Sequence, residues 1–219
     1  MASRSNLIRV LITMRIDHIQ QYDEDRNSID IRWQESLSYL CGREAVLFAL
    51  FNSGTEAHIL ENLQSIKPDL IVISGGNDLG TNKKRDLSES YLLEWSERKK
   101  VPVLGICRGM QIMQHFLGGK LACVSEHAAV EHDIQASYST GEFKLLKTNS
   151  FHDYGIIIQE LAPRLIPLYE HSDGSVEAVR HSEFPWLGIM WHPERGGSDM
   201  KNSNLWLKKA LGEICFGKN

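Results

Sequence analysis

Three things are scarce in this chain, and each scarcity removes a class of protein. The four cysteines, at positions 41, 107, 123 and 215, are scattered. A zinc ribbon needs close pairs and a disulfide framework needs higher density, so neither is expected, and Cys41, Cys123 and Cys215 read as packing residues. No apolar run reaches membrane length, and residues 1–6 lack the apolar core of a secretory signal, so a cytoplasmic protein is expected. Basic charge is not in excess either. A net charge of -4 and a pI near 6.1 offer no field for neutralising phosphates, and neither a nucleic-acid nor a membrane partner is expected.

What is present is an ordinary globular composition, 42% hydrophobic and 24% charged over 219 residues, without repeat, low-complexity tract or linker. One domain spanning 1–219 follows. Leu7–Thr13 is apolar and β-branched and reads as a first strand, with Arg15 and Asp17 at its carboxyl end and a polar loop over 23–27. Trp33, Leu37 and Leu40 recur at helical spacing until Gly42, and a second strand follows over 45–51. Thr55 is placed to cap a helix carrying Ile59, Leu63 and Ile66, and 69–73 is a third buried strand that runs into Ser74-Gly75-Gly76-Asn77-Asp78. Lys83-Lys84-Arg85 reads as a solvated basic loop, and Tyr91, Leu92 and Trp95 suit another crossover helix. Strand and helix alternating in this way predict an α/β fold, a mostly parallel open sheet with helices on both faces. Residues 122–181 change texture, with breaks at Gly141, Gly155 and Gly174, and read as small antiparallel strands. A last buried strand spans 186–191 and a terminal amphipathic helix 204–211.

The chemistry centres on Cys107. An apolar strand stops at this cysteine and passes through Arg108 and Gly109 into a helical pattern beginning Met110-Gln111. Such a turn lifts one side chain out of a sheet edge, and a helix N-terminus favours thiolate over thiol. Taken alone, the segment fits a catalytic cysteine and a buried structural one equally. A cysteine nucleophile needs a base and the base needs an orienting group. His192-Pro193-Glu194 offers both, because residues two apart on extended backbone face one side. The other histidines are scattered along the chain and form no recognisable metal-ligand set, and no metal or organic cofactor is expected.

Taken together, Ser74-Gly75-Gly76-Asn77-Asp78, Gly105-Ile106-Cys107-Arg108-Gly109-Met110-Gln111, Leu117-Gly118-Gly119, Asn149-Ser150-Phe151-His152 and Trp191-His192-Pro193-Glu194 resemble the class I glutamine amidotransferase-like superfamily. The resemblance implies a flavodoxin-like fold and a glutamyl-thioester mechanism. Cys107 would be nucleophile, His192 general base and then acid, and Glu194 its orienter. Backbone N–H groups of Gly76 and Arg108 would form the oxyanion hole. Gln111, with Ser150, Phe151 and His152, would line the glutamyl subsite. The Cys-Arg-Gly elbow and Asp30-Ile31-Arg32-Trp33 are similar to the Peptidase C26-like branch, which hydrolyses γ-glutamyl conjugates such as γ-glutamyl-γ-aminobutyrate. Asp153-Tyr154 departs from that branch's pattern and implies a changed leaving-group side. The resemblance reaches as far as hydrolysis of γ-glutamyl-CDP-amidate in capsule phosphoramidate biosynthesis, with Arg15, Arg32, Arg108 and the 83–85 loop as candidate cations for its diphosphate. The open alternative is a glutaminase that delivers ammonia to a separate synthetase partner.

Overall fold

A computed structural model describes residues 7–138, 143–196 and 200–217; residues 1–6 and the break expected at Gly141 lie outside them. Strand β1 (Leu7–Thr13) leads into a hairpin of β2 (Arg15–Ile19) and β3 (Glu24–Ser28). Then come α1 (Trp33–Cys41), β4 (Glu44–Leu50), α2 (Glu56–Ile66), β5 (Leu70–Ile73), α3 (Lys83–Lys99), β6 (Val103–Ile106) and α4 (Arg108–Phe116). The second half carries β7 (Ala122–Cys123), β8 (Ala128–Ala136), β9 (Leu145–Phe151), β10 (Tyr154–Gly155), β11 (Leu165–Glu170), β12 (Val176–His181), β13 (Trp186–Ile189) and α5 (Lys201–Ala210). No helix among the described residues is long and apolar enough to cross a membrane.

Nine strands form one sheet in the order β4-β1-β5-β6-β13-β12-β11-β8-β9. From β4 to β13 the pairing is parallel, and from β12 to β9 it is antiparallel, so the short strands expected after residue 122 widen the main sheet. The period-two alternation of the parallel strands supplies two apolar faces. Val10, Ile12, Val72, Ile106 and Ile189 pack toward α1 and α5, while Leu11, Ile71, Ile73, Val103 and Trp186 pack toward α2, α3 and α4. The carboxyl ends of β1, β5, β6 and β13 therefore meet at one edge, where open α/β sheets hold ligands.

Several local expectations are corrected. The 23–27 polar loop is largely strand β3, paired with β2 across Asp17↔Arg26 and His18↔Asp25. This exposed two-stranded ribbon buries no apolar face, so it shows no alternation to read. Thr55 precedes α2 without a side-chain capping bond, whereas Asn82 does cap α3, its Oδ1 accepting from the Arg85 N–H at 3.1 Å. Cys41 and Cys215 are buried, but Cys123 is exposed on the β7–β10 ribbon.

Lys83-Lys84-Arg85 is the first turn of α3, not a solvated loop, and Arg85 is completely buried. Its guanidinium donates to the carbonyls of Ser74 (2.8 Å), Gly75 (3.0 Å) and Gly76, and to Glu89 Oε1 at 2.9 Å. The second Glu89 oxygen accepts from Arg108, which also pairs with Asp86. Thr13 at the end of β1 completes the group, donating to Glu89 Oε1 at 2.9 Å and accepting from the Ser74 N–H at 3.0 Å. Burial would raise the Glu89 carboxyl, but the charges of Arg108 and Arg85 outweigh it and hold its pKa below the ordinary range. Removing one partner of a buried ion network strands the others without compensation. Glu89→Gln is expected to destabilise the fold by about 3–5 kcal/mol in urea denaturation; a loss below about 1 kcal/mol would contradict the network's role. Because the carboxyl is depressed in the fold, its contribution is present above the unfolded carboxylate pKa and is lost as pH falls through the lower folded value.

Candidate active site

Strand β6 ends at Ile106, and the next residue turns sharply. Cys107 has φ 51° and ψ -106°, a conformation that side chains with a Cβ rarely adopt and that marks strained functional turns. Its N–H donates to the Ile189 carbonyl at 2.7 Å, and its own carbonyl accepts from Met110 and Gln111 at 2.9 and 3.1 Å, starting α4. The turn needs glycine at 109, since a Cβ there would lie 2.0 Å from the Ile73 carbonyl oxygen. Cys107 is buried, and burial pushes its thiol up to about 12, against the lowering contributed by the Arg108 backbone N–H and the Arg195 charge. The expectation that the helix N-terminus leaves a resting thiolate is therefore corrected. The N–H bond to sulfur is there, but desolvation is the larger effect.

His192 follows β13 in extended conformation, and Pro193–Arg195 then form one 3-10 turn. The pair thus meets across a turn, not along an extended strand as the spacing suggested. Glu194 Oε1 lies 2.7 Å from His192 Nδ1. A ring donating Nδ1–H to this buried carboxylate keeps Nε2 as its acceptor, the tautomer a general base requires. Three further contacts fix the ring. Asn149 clasps the His192 backbone, its Oδ1 accepting from the N–H at 2.8 Å and its Nδ2 donating to the carbonyl at 3.0 Å. Phe151 stands edge-on to the imidazole at 5.7 Å between centroids. Gly75 lies beneath it so closely that a Cβ would come within 2.5 Å of His192 Cε1.

One cavity opens beside these groups, and a second opens at Gln111 in α4. The first, about 270 Å³, is lined by His192, Glu194, Gly75, Gly76, Arg15 and Arg195 among others. The second, about 330 Å³, is lined by Gln111, Asp78, Thr81, Tyr154 and their neighbours, and Gln111 Nε2 donates to the Tyr154 carbonyl at 2.7 Å. The expected site residues thus divide. Gly76, Arg15 and Gln111 line cavities, and Phe151 packs on the imidazole. Ser150 is buried and turned away, its hydroxyl donating to the His127 carbonyl at 2.6 Å. His152 is buried near Glu177, where burial lowers its pKa to about 4 and keeps it neutral. Arg32 is held by Asp30 and donates to the Arg195 carbonyl at 3.0 Å, so it braces the cavity wall. The Arg108 guanidinium is occupied by Glu89 and Asp86 and is no free cation for a diphosphate, and buried Arg85 is likewise engaged.

Sequence reasoning missed Asn149 and Arg195 as site residues, and it placed Arg85 in a solvated loop as a cation for the diphosphate, where the structure buries it in α3 against the glycine turn. Asn149 stood inside a quoted motif but has no chemistry that marks a clamp. Arg85 was masked by the two lysines before it. Arg195, whose guanidinium lies 4.3 Å over the Phe151 ring, could have been found as the cation adjoining the His-x-Glu motif.

Two outcomes are expected. Iodoacetamide labelling of Cys107, followed by peptide mapping, should accelerate without a plateau between about pH 7 and pH 10, because the free thiol titrates higher still; a plateau below about pH 8 would reveal a resting thiolate. Gly75→Ala should displace the imidazole and lower turnover by about 100-fold while the circular dichroism spectrum is retained. Full turnover in that variant would show that His192 is not seated there during catalysis.

Known proteins resemble this chain in sequence and in fold. The Peptidase C26 family model matches residues 64–194. Gamma-glutamyl-CDP-amidate hydrolase of Campylobacter jejuni is 35% identical over 131 residues, which span 57% of this chain and 62% of that protein. A glutamine-hydrolyzing GMP synthase subunit from Pyrococcus abyssi is 30% identical over 138 residues, 62% of this chain and 71% of the relative. Among solved structures, the glutaminase domain of Trypanosoma brucei CTPS with bound acivicin superposes with a TM-score of 0.70 at 12% identity, covering 97% of this chain and 95% of the other, a likeness of fold. The matched segment runs from α2 through the glycine turn and the cysteine elbow to Glu194, and on that evidence the chain belongs to the Peptidase C26 family of amide hydrolases, within the class I glutamine amidotransferase-like superfamily.

Proposed function

We propose that this protein is a free-standing hydrolase of a γ-glutamyl amide, with γ-glutamyl-CDP-amidate as its substrate and glutamate and cytidine diphosphoramidate as products. The observation that carries the hydrolytic reading is that a strained elbow cysteine ends β6 while an imidazole locked by Glu194 at 2.7 Å follows the neighbouring strand β13. In this reading His192 Nε2 takes the thiol proton as sulfur attacks the γ-carbonyl. The high thiol pKa makes transfer and attack one event, so no thiolate is exposed to solvent beforehand. The carbonyl oxygen becomes an oxyanion facing the N–H groups of Arg108 and Gly76. Collapse breaks the C–N bond, and His192 returns the proton to the leaving nitrogen. Water then attacks the glutamyl-thioester, giving its proton to His192; the C–S bond breaks, His192 passes the proton to the departing sulfur, glutamate is released and the thiol is regenerated.

The leaving group is assigned to the cavity on the His192 side, and the glutamyl end to the cavity carrying Gln111. Arg15 is half-exposed with its Nε on Asp17 at 2.6 Å, and Arg195 is about two-thirds buried with its Nε 3.8 Å from Glu194; both line the first cavity, and their terminal guanidinium nitrogens suit a diphosphate better than the short carboxylate tail of an aminobutyrate. The relative from Campylobacter jejuni supports the same substrate. A second reading, a glutaminase that hands ammonia to a separate synthetase, is supported by the likeness to the GMP synthase relative from Pyrococcus abyssi.

Glutamate release by the purified protein from glutamine, γ-glutamyl-γ-aminobutyrate and γ-glutamyl-CDP-amidate separates these readings, with Cys107→Ala as control. Release should be fastest from the nucleotide conjugate and absent in the control. Arg15→Ala and Arg195→Ala should each lower kcat/KM for that conjugate by about 10-fold or more, as loss of a charged hydrogen bond does, and leave glutamine nearly unaffected. Unchanged kcat/KM in both variants would exclude the nucleotide. Activity on glutamine alone, rising when a synthetase is added, would favour the glutaminase.

A further inference from the structure

The histidines that look scattered in the sequence are not scattered in the fold. His127 precedes β8, His132 lies within it, His152 follows β9 and His171 follows β11. The His127 ring has those of His132, His152 and His171 at centroid distances of 4.9, 4.9 and 5.0 Å, and His132 stacks on His171 at 4.6 Å. Strand β8 pairs with β11 only at Ala136 and Gln135, so the imidazoles fill the space between β8 and the β11–β12 hairpin. The side chains of His127 and Glu177 are 0% and 1% exposed, and those of His152 and His132 3% and 8%.

Burial on this scale should come with complete hydrogen bonding. Here it does not. His127 Nδ1, both nitrogens of His132 and of His152, and Glu177 Oε2 make no hydrogen bond. A core built of apolar residues would fill the same space without stranding polar atoms. Ligand atoms of His127, His132 and His171 all lie within 4.8 Å of one another. Three imidazoles in one group, with one side open, are the donor set of a zinc-class site.

We propose that His127, His132 and His171 bind one divalent transition-metal ion of the zinc class, with the fourth position open to water. Asp173 supports the site from outside, as carboxylates behind metal-bound imidazoles do. Its Oδ2 lies 2.8 Å from His127 Nε2 and its Oδ1 3.1 Å from His171 Nδ1, so His127 presents its unbonded Nδ1 to the ion. Glu177, 3.5 Å from His132 Nε2, supplies buried negative charge against the cation. His171, with its side chain 22% exposed, lines a separate cavity of about 610 Å³ that gives the ion a way in.

The site lies behind the catalytic wall, not in it. The His127 carbonyl accepts from the Ser150 hydroxyl and from the His152 N–H at 3.1 Å, and the Glu177 carbonyl accepts from the Met190 N–H at 2.8 Å. An ion here would tie β8, the strand paired with the β9 that carries Asn149 and Phe151, to the β11–β12 hairpin, which pairs with the strand leading to His192. Its role is positional, and the inference holds whether or not the substrate assignment above does.

The test uses tag-free full-length protein carrying Cys107→Ala, so that the active-site thiol does not compete. After dialysis against a chelator, Zn(II) or Co(II) alone is titrated and followed by calorimetry, melting temperature and visible absorption. One ion per chain is expected, with a raised melting temperature and a cobalt spectrum lacking a thiolate charge-transfer band. His132→Ala and His171→Ala should each weaken binding by at least about 10-fold, while His115→Ala, on α4 outside the cluster, should not. Absence of a bound ion, a thiolate band, or unweakened binding in a His132→Ala/His171→Ala double variant would overturn the proposal. Should the substituted proteins fail to fold, the cobalt spectrum and stoichiometry of the Cys107→Ala protein decide it alone.

Discussion

The buried network of Arg85, Glu89 and Arg108 is the constraint on which the rest of the site depends. Three chain segments with no covalent reason to stay together meet there: the end of β1 through Thr13, the glycine turn after β5 through its carbonyls, and the first residue of α4 through Arg108. Each carbonyl of the turn that Arg85 holds fixes the orientation of the adjoining peptide planes. The same carboxylate holds Arg108, the residue immediately after Cys107. One buried glutamate therefore sets the relative placement of the two backbone segments proposed to receive the oxyanion.

The sheet supplies the remaining alignment. β6 lies between β5 and β13, with Gly105 paired to Ile73 on one side and Gly188 on the other. Glycine turn, cysteine and histidine thus leave three adjacent strands at one edge. The Cys107 N–H bond to Ile189 extends that ladder to Cys107 itself. Antiparallel β9 reaches the same edge and delivers Asn149 and Phe151 to the histidine. Placing these groups costs backbone strain at Cys107 and side-chain volume at Gly75 and Gly109, features that a packed sheet can sustain.

Much of this was legible in the sequence, for physical reasons that differ by element. Strands β1, β5, β6 and β13 are buried on both faces, so they appear as apolar runs bounded by turn residues. The elbow and the His-x-Glu segment could be read because their chemistry demands particular residue types at short spacing. The β2–β3 hairpin could not, because a solvated ribbon lacks a buried face. Arg85 read as surface because its sequence neighbours are lysines and its partners are backbone carbonyls, which carry no residue identity. The protonation state of Cys107 was missed because a helix N-terminus is visible in sequence, whereas the depth at which it lies is not. The histidine cluster assembles from three strands, β8, β9 and β11, that are brought together by the sheet order alone.

The central claim is that Cys107 carries a glutamyl group during turnover. Rapid acid quenching of the protein with a γ-glutamyl substrate, followed by intact-mass and peptide mass spectrometry, tests it most directly. An adduct with the mass of one glutamyl group is expected on the Cys107 peptide, absent in Cys107→Ala. The adduct should also build up when His192 is replaced but the thiol is chemically activated at high pH. Glutamate release with no adduct, or with release undiminished in Cys107→Ala, would contradict the claim.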